Sequence, residues 1–153
     1  MAQITLYTSR LTKDARCKMV KESVYEYGMN SLNSPEVIVD MMRSLFLIDQ
    51  MAEEHLYAIY FNSSFNVTGI VEISHGLVNQ TVCQPREVFQ KALLLNASAV
   101  VIVHNHPSGQ CAPSKEDREI FTRLEKAGEL MGIQVCDSII IGRDTYYSEK
   151  EQV

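Results

Sequence analysis

One stretch constrains this chain more than any other: AVVIVHNHPSGQCAPSKED, from Ala99 to Asp117. Five consecutive apolar residues run into His104, Asn105 and His106, the pattern of a buried strand with a polar tip. Side chains alternate along a strand, so His104 and His106 point to one side and Asn105 to the other. A loop with Pro, Ser and Gly then leads to Pro113, Ser114 and Asp117. Two imidazoles on one face, with a carboxylate brought back by a short loop, make three legs of a tetrahedral zinc site whose fourth position is open. A plainer reading stands beside it. Ser114-x-x-Asp117 ahead of an apolar helical run is also the pattern of a capping box. The two are compatible, because a helix N-terminus favours negative charge.

Composition narrows the class. At 153 residues the chain suffices for one domain with a proper core. Its 46% hydrophobic and 22% charged residues are ordinary for a globular protein. A formal charge of −5 argues against a protein that works by neutralising phosphates, while leaving open a local basic face for nucleic acid. The N-terminus is polar, and no apolar run approaches a membrane span, so a cytoplasmic protein with no membrane contact is expected. The four cysteines form no CxxC pair, and reduced thiols are the expectation.

In chain order, Gln3–Thr8 alternates weakly and reads as a short strand. Arg10–Asn33 has no strong period and reads as a helix or arm, either a subunit contact or a surface extension. Residues 1–33 are therefore taken as an N-terminal extension and 34–153 as the domain. Ser34-Pro35-Glu36 starts a helix, with Val37, Ile38, Met41, Met42, Leu45 and Phe46 on its buried face. His55–Phe61 and Val67–Ser74 form a hairpin across the turn Asn62-Ser63-Ser64. A second helix starts at Pro85 and ends near Asn96, with Val88, Phe89, Ala92 and Leu93 inward. After the central strand a third helix opens around Asp117 and ends at Gly132. Ile133–Val135 and Ile139–Ile141 supply the last strand material, with Gly142 closing. The order predicts an α/β sandwich with a mixed sheet flanked by helices.

Other families with paired histidines do not fit. A zinc deaminase needs HxE with a downstream PCxxC, a zincin needs HExxH, and a TIM-barrel hydrolase needs about 250 residues. His-x-His, seven residues, Ser, two residues, Asp resembles the JAMM motif of the JAB/MPN metallopeptidase-like domains. The flanks PREVFQKALLLNASAVVIVHNHPSG, PSKEDREIFTRLEKAGELMGIQV and DSIIIG resemble the RadC branch of that superfamily, over about residues 34–147. The resemblance implies the JAB/MPN, cytidine-deaminase-like fold. It implies Zn2+ on His104, His106 and Asp117, with Ser114 helping to stabilise an oxyanion. It further implies an upstream glutamate as general base. The matching segment is Glu54-His55-Leu56, which selects Glu54, with Glu53 one residue away.

The implied activity is zinc-dependent hydrolysis of a peptide or isopeptide bond in a peptide or protein substrate. A DNA-repair-associated role and a non-catalytic scaffold are the alternatives. The chain departs from its relatives at two histidines, replaced here by Gln84 and Ser138. It also places Cys111 in the loop between His106 and Ser114, as a plain thiol or as a redox-sensitive ligand. Full-length RadC proteins carry a helix-hairpin-helix-like region ahead of this domain, and the residues before Ser34 lack its pattern, so a stand-alone domain is expected.

Overall fold

A computed structural model describes residues 2–28, 32–76 and 83–152. Seven strands form one mixed sheet: β1 (Ala2–Leu11), β2 (Cys17–Tyr27), β3 (Glu54–Phe61), β4 (Val67–Gly76), β5 (Ala99–Asn105), β6 (Gln134–Ile141) and β7 (Tyr146–Ser148), in the spatial order β2-β1-β4-β3-β5-β6-β7. β1 runs parallel to β4, and β5 parallel to β6; the other neighbours are antiparallel. Helix α1 (Pro35–Phe46) covers one face; α2 (Pro85–Leu94) and α3 (Lys115–Met131) cover the other. The expected α/β sandwich with a mixed, helix-flanked sheet is what the chain forms.

β5 is buried along its whole length, as a strand between two helical layers must be. Val101 and Val103 pack under α1 with Met41, Met42 and Ile59. Val100 and Ile102 pack under α2 and α3 with Phe89, Ala92 and Leu124. Helix starts follow their signals. The Ser34 hydroxyl accepts from the Val37 amide, and Pro35 sits in the first turn. Ser114 caps α3, and Gly132 ends it in the left-handed conformation.

Three expectations are corrected. Arg10–Asn33 is neither helix nor arm: within it lies β2, paired antiparallel to β1, while residues 29–31 fall outside the described set. A bulge explains the missing period. Leu6 pairs with Ser23 but Tyr7 with Lys21, leaving Glu22 as an extra residue. The phase slips there, so Met19 packs on the α2/α3 side while Tyr25 and Tyr27 pack on the α1 side, although all three are odd-numbered. The last strand is continuous, because the polar Cys136-Asp137-Ser138 segment stays in the sheet. Buried Asp137 accepts from the Ser148 hydroxyl at 2.6 Å and the Lys150 amide at 3.0 Å. The chain then turns at Gly142 into β7, too short to show a period. Leu93 faces outward, 60% exposed, one helical step past the buried Ala92.

Candidate metal centre

β5 carries its last residues to one end of the sheet as its apolar run ends. His104 lies within the strand and His106 one residue beyond it, and their rings share a side, with centroids 5.1 Å apart. The chain then makes a tight loop. The Gly109 amide donates to the His106 carbonyl at 2.9 Å, with Gly109 at φ +86°. The loop leans on the β6–β7 turn: His106 donates its amide to the Ile141 carbonyl at 3.1 Å, and Arg143 donates to the Gly109 carbonyl at 3.0 Å. Gly142 lets the two segments touch, since a Cβ there would lie 2.5 Å from the Gly109 oxygen.

α3 returns the carboxylate. The Ser114 hydroxyl accepts from the Asp117 amide at 3.0 Å, and the Ser114 amide donates to Asp117 Oδ2 at 2.8 Å, a complete capping box. The box also aims Asp117 at the histidines. Its Oδ1 lies 3.3 Å from His104 Nε2 and its Oδ2 3.2 Å from His106 Nε2, while the two Nε2 atoms are 3.2 Å apart. Glu54, at the start of β3, completes the group with Oε1 3.7 Å from His104 Nε2. The four residues each place one ligand atom within 4.8 Å of the others.

These spacings suit a small tetrahedral ion. Donors at about 2.0–2.1 Å from zinc stand about 3.3 Å from one another, and the His–His and His–Asp separations lie at that value. The donor types, two imidazole nitrogens and a carboxylate, are those zinc takes. His106 is set in the right tautomer: its Nδ1 faces the Gln110 carbonyl at 3.2 Å, so Nδ1 holds the proton and Nε2 offers its lone pair.

Electrostatics tie the group together. Burial works against a charged His106, and the Asp117 hydrogen bond and charge, helped by Glu54, outweigh it and raise its pKa. Burial likewise works against an ionised Asp117, and hydrogen bonds from His104 and His106 overcome it, holding the carboxyl far below the usual range.

Glu54 and Glu53 are separated by the strand. Glu54 is buried and faces the histidines; Glu53 is exposed. Asn105, which points away from the histidines, explains the fixed position of Glu54. Its Oδ1 accepts from the His55 amide at 2.7 Å, and its Nδ2 donates to the Glu53 carbonyl at 3.0 Å. One side chain thereby holds both peptide units that flank the Glu54 Cα. β3–β5 pairing extends to Leu56 opposite His104, and Asn105 takes over where that ladder ends. The sequence showed the direction of Asn105 but held no signal for its partners, which lie about fifty positions away.

Cys111 lies against Thr145, Sγ to Oγ1 3.2 Å, and is not among the clustered donors. Gln84 is exposed at the start of α2, its Oε1 accepting from Arg123 at 3.2 Å. Ser138 pairs with Ile102 within the sheet. Among the described residues no helix is long and apolar enough to cross a membrane.

A seven-stranded mixed sheet between helices, with a His/His/Asp/Glu cluster where the end of β5 meets the start of β3, defines an α/β domain with a candidate metal centre. The family model for the RadC-like JAB domain matches residues 32–153, and the chain belongs to that family. Among its relatives, a UPF0758 protein of Trichlorobacter lovleyi is 46% identical over 63% of this chain and 42% of its own length. One of Staphylococcus haemolyticus is 40% identical over 86% of this chain and 58% of its own. One of Enterococcus faecalis is 31% identical over 99% of this chain and 64% of its own. The chain thus spans about half the length of the curated relatives it matches.

Proposed function

We propose that this domain is a Zn2+-dependent hydrolase of amide bonds, acting on a peptide or on an isopeptide such as a lysine side-chain linkage. The observation that carries the reading is the convergence of two imidazole Nε2 atoms and a carboxylate at tetrahedral spacing, with a second carboxylate beside them. His104, His106 and Asp117 hold the ion. When bound, zinc lowers the pKa of a coordinated water toward neutrality and polarises a carbonyl oxygen. Glu54 holds the attacking water, accepts its proton at the carboxylate, and delivers it to the leaving amine. Burial and the Asn105 clamp keep that carboxylate at one place.

Ser114 donates a hydrogen bond from its hydroxyl to the developing oxyanion. The capping bond uses Ser114 Oγ as an acceptor, which leaves the O–H free to donate. Asp117 turns both carboxylate oxygens to the histidines' Nε2 atoms and serves as the third ligand, which leaves Glu54 as the carboxylate that takes the proton. A scaffold without chemistry has no need of a complete donor set. The acidic balance of the chain gives no support to a nucleic-acid role.

Metal analysis of zinc-reconstituted protein, paired with hydrolysis of peptide and isopeptide substrates, tests the reading. His104→Ala/His106→Ala and Asp117→Ala each lose one equivalent of zinc and all turnover. Wild type that holds no zinc at these residues, or that hydrolyses equally well without them, refutes it.

A further inference from the structure

Glu54 and His55 are neighbours on β3 and so face opposite sides of the sheet. We propose that the far side carries a second site for a divalent ion of the zinc class, formed by His55, Glu72 and His75. His55 Nδ1 is hydrogen-bonded to Glu72 Oε1, and His75 Nδ1 lies 3.8 Å from the same oxygen. The two rings stack with centroids 5.2 Å apart and planes 18° from parallel. One donor atom from each residue falls within 4.8 Å of the other two.

The backbone builds this cluster. His55 and His75 are directly opposite each other across the antiparallel β3–β4 pair. Glu72 and His75 are three apart, and in a regular strand they would face opposite sides. The register shifts between them: Tyr57 pairs with Glu72 and Leu56 with Ser74, which leaves Ile73 as an extra residue. The bulge absorbs one step of the alternation and turns Glu72 and His75 to the same side. Ile73 anchors the bulge by packing under α2 and α3. The His55 ring is also fixed, stacked on Tyr57 at 6.5 Å and 17°, while Asn105 holds its amide.

Two imidazoles and one carboxylate select late first-row ions, zinc, cobalt or nickel, over magnesium and calcium, which demand oxygen cages. The site is open. Side-chain exposure rises from 20% at His55 through 36% at Glu72 to 58% at His75, so an ion has an entry path and water completes its shell. Because His55 follows Glu54, an ion here fastens the start of β3 to β4 from behind Glu54. The proposal stands whether or not the first centre is hydrolytic.

Zn2+ and Co2+ titrations of the full chain, read by calorimetry and by the visible absorption of Co2+, test it. The native chain takes two equivalents, and Glu72→Gln/His75→Ala takes one. In a His104→Ala/His106→Ala background one equivalent remains, and adding Glu72→Gln/His75→Ala weakens its Kd by at least about tenfold. The last two positions are at the surface, so circular dichroism shows the variant folded. A native chain that takes only the one ion abolished by His104→Ala/His106→Ala overturns the proposal. So does a second equivalent whose Kd ignores Glu72→Gln/His75→Ala. Loss of hydrolysis, or of the first ion alone, bears only on the hydrolase reading.

Discussion

The two clusters at the start of β3 share a strand and differ in almost everything else. On the α2/α3 side, Glu54 and His104 are buried, and the four members of the set come from three separate segments, β3, the end of β5 and the start of α3. On the α1 side, His55, Glu72 and His75 come from a single hairpin and lie partly in solvent. Burial makes the first set expensive to assemble without a task, because charges withdrawn from water must be matched by partners in place. The second set costs little to hold and is correspondingly weakly specified. Enclosure and long-range assembly go together on one face. A local, open set of donors suits an ion that fastens and does no chemistry.

The sharpest way to break that contrast is Glu54→Gln. The substitution keeps shape and burial and removes a proton acceptor. Turnover falls by about 10²–10⁴-fold, the usual worth of a positioned acid–base group, while zinc at His104, His106 and Asp117 is retained. Single-turnover hydrolysis alongside metal content separates the two effects. Equal turnover in Glu54→Gln and wild type assigns the base elsewhere.

Asn105 links the two faces, and its loss is felt on both. Asn105→Ala frees the peptide units on either side of Glu54 and leaves the His55 amide without its acceptor. The expected cost is about 1–3 kcal/mol in urea denaturation, with a fall in kcat at little change in KM. Asn105→Asp keeps the acceptor for His55 but sets a buried carboxylate oxygen against the Glu53 carbonyl, so it is at least as destabilising as alanine. An alanine variant as stable and active as wild type would show that the ladder alone positions Glu54.

How much of this was readable in advance follows the same division. β5, its two histidines and the Ser114–Asp117 box are encoded by local pattern, an apolar run followed by a cap, and they fold as that pattern says. β2 was not legible because Glu22 breaks the alternation inside an edge strand with little burial contrast. β6 reads as split because Asp137 is polar, and its burial is made tolerable by donors from the Ser138 amide and from Ser148 and Lys150, at and just past the end of β7. The second cluster was invisible for a related reason. Its residues share a face only through the bulge at Ile73, and spacing by twos excludes it. Local periodicity shows what a segment buries; a phase slip is decided by the neighbouring strand.

The smallest expected effect concerns pH in the metal-free protein. His106 has a folded pKa raised above its ordinary 6.5, so the stability it contributes is complete below that value and is lost as pH rises through the folded one. Asp117 has a folded pKa depressed below its ordinary 3.8. Its contribution is complete above that value and is lost only as pH falls toward the folded one. Between about pH 4 and pH 6.5 both are present, and the His106–Asp117 contact holds the empty centre closed. Above that window the metal-free protein loses the His106 share. Zinc affinity moves the other way, since the ion needs the neutral ring and gains as the proton leaves. Melting temperatures of metal-free and zinc-loaded protein therefore diverge from pH 6 to pH 8.5, the metal-free curve falling. Asp117→Asn flattens that fall by removing the charge that raised His106. A metal-free protein whose melting temperature climbs over this range would show that the pair does not hold the empty centre.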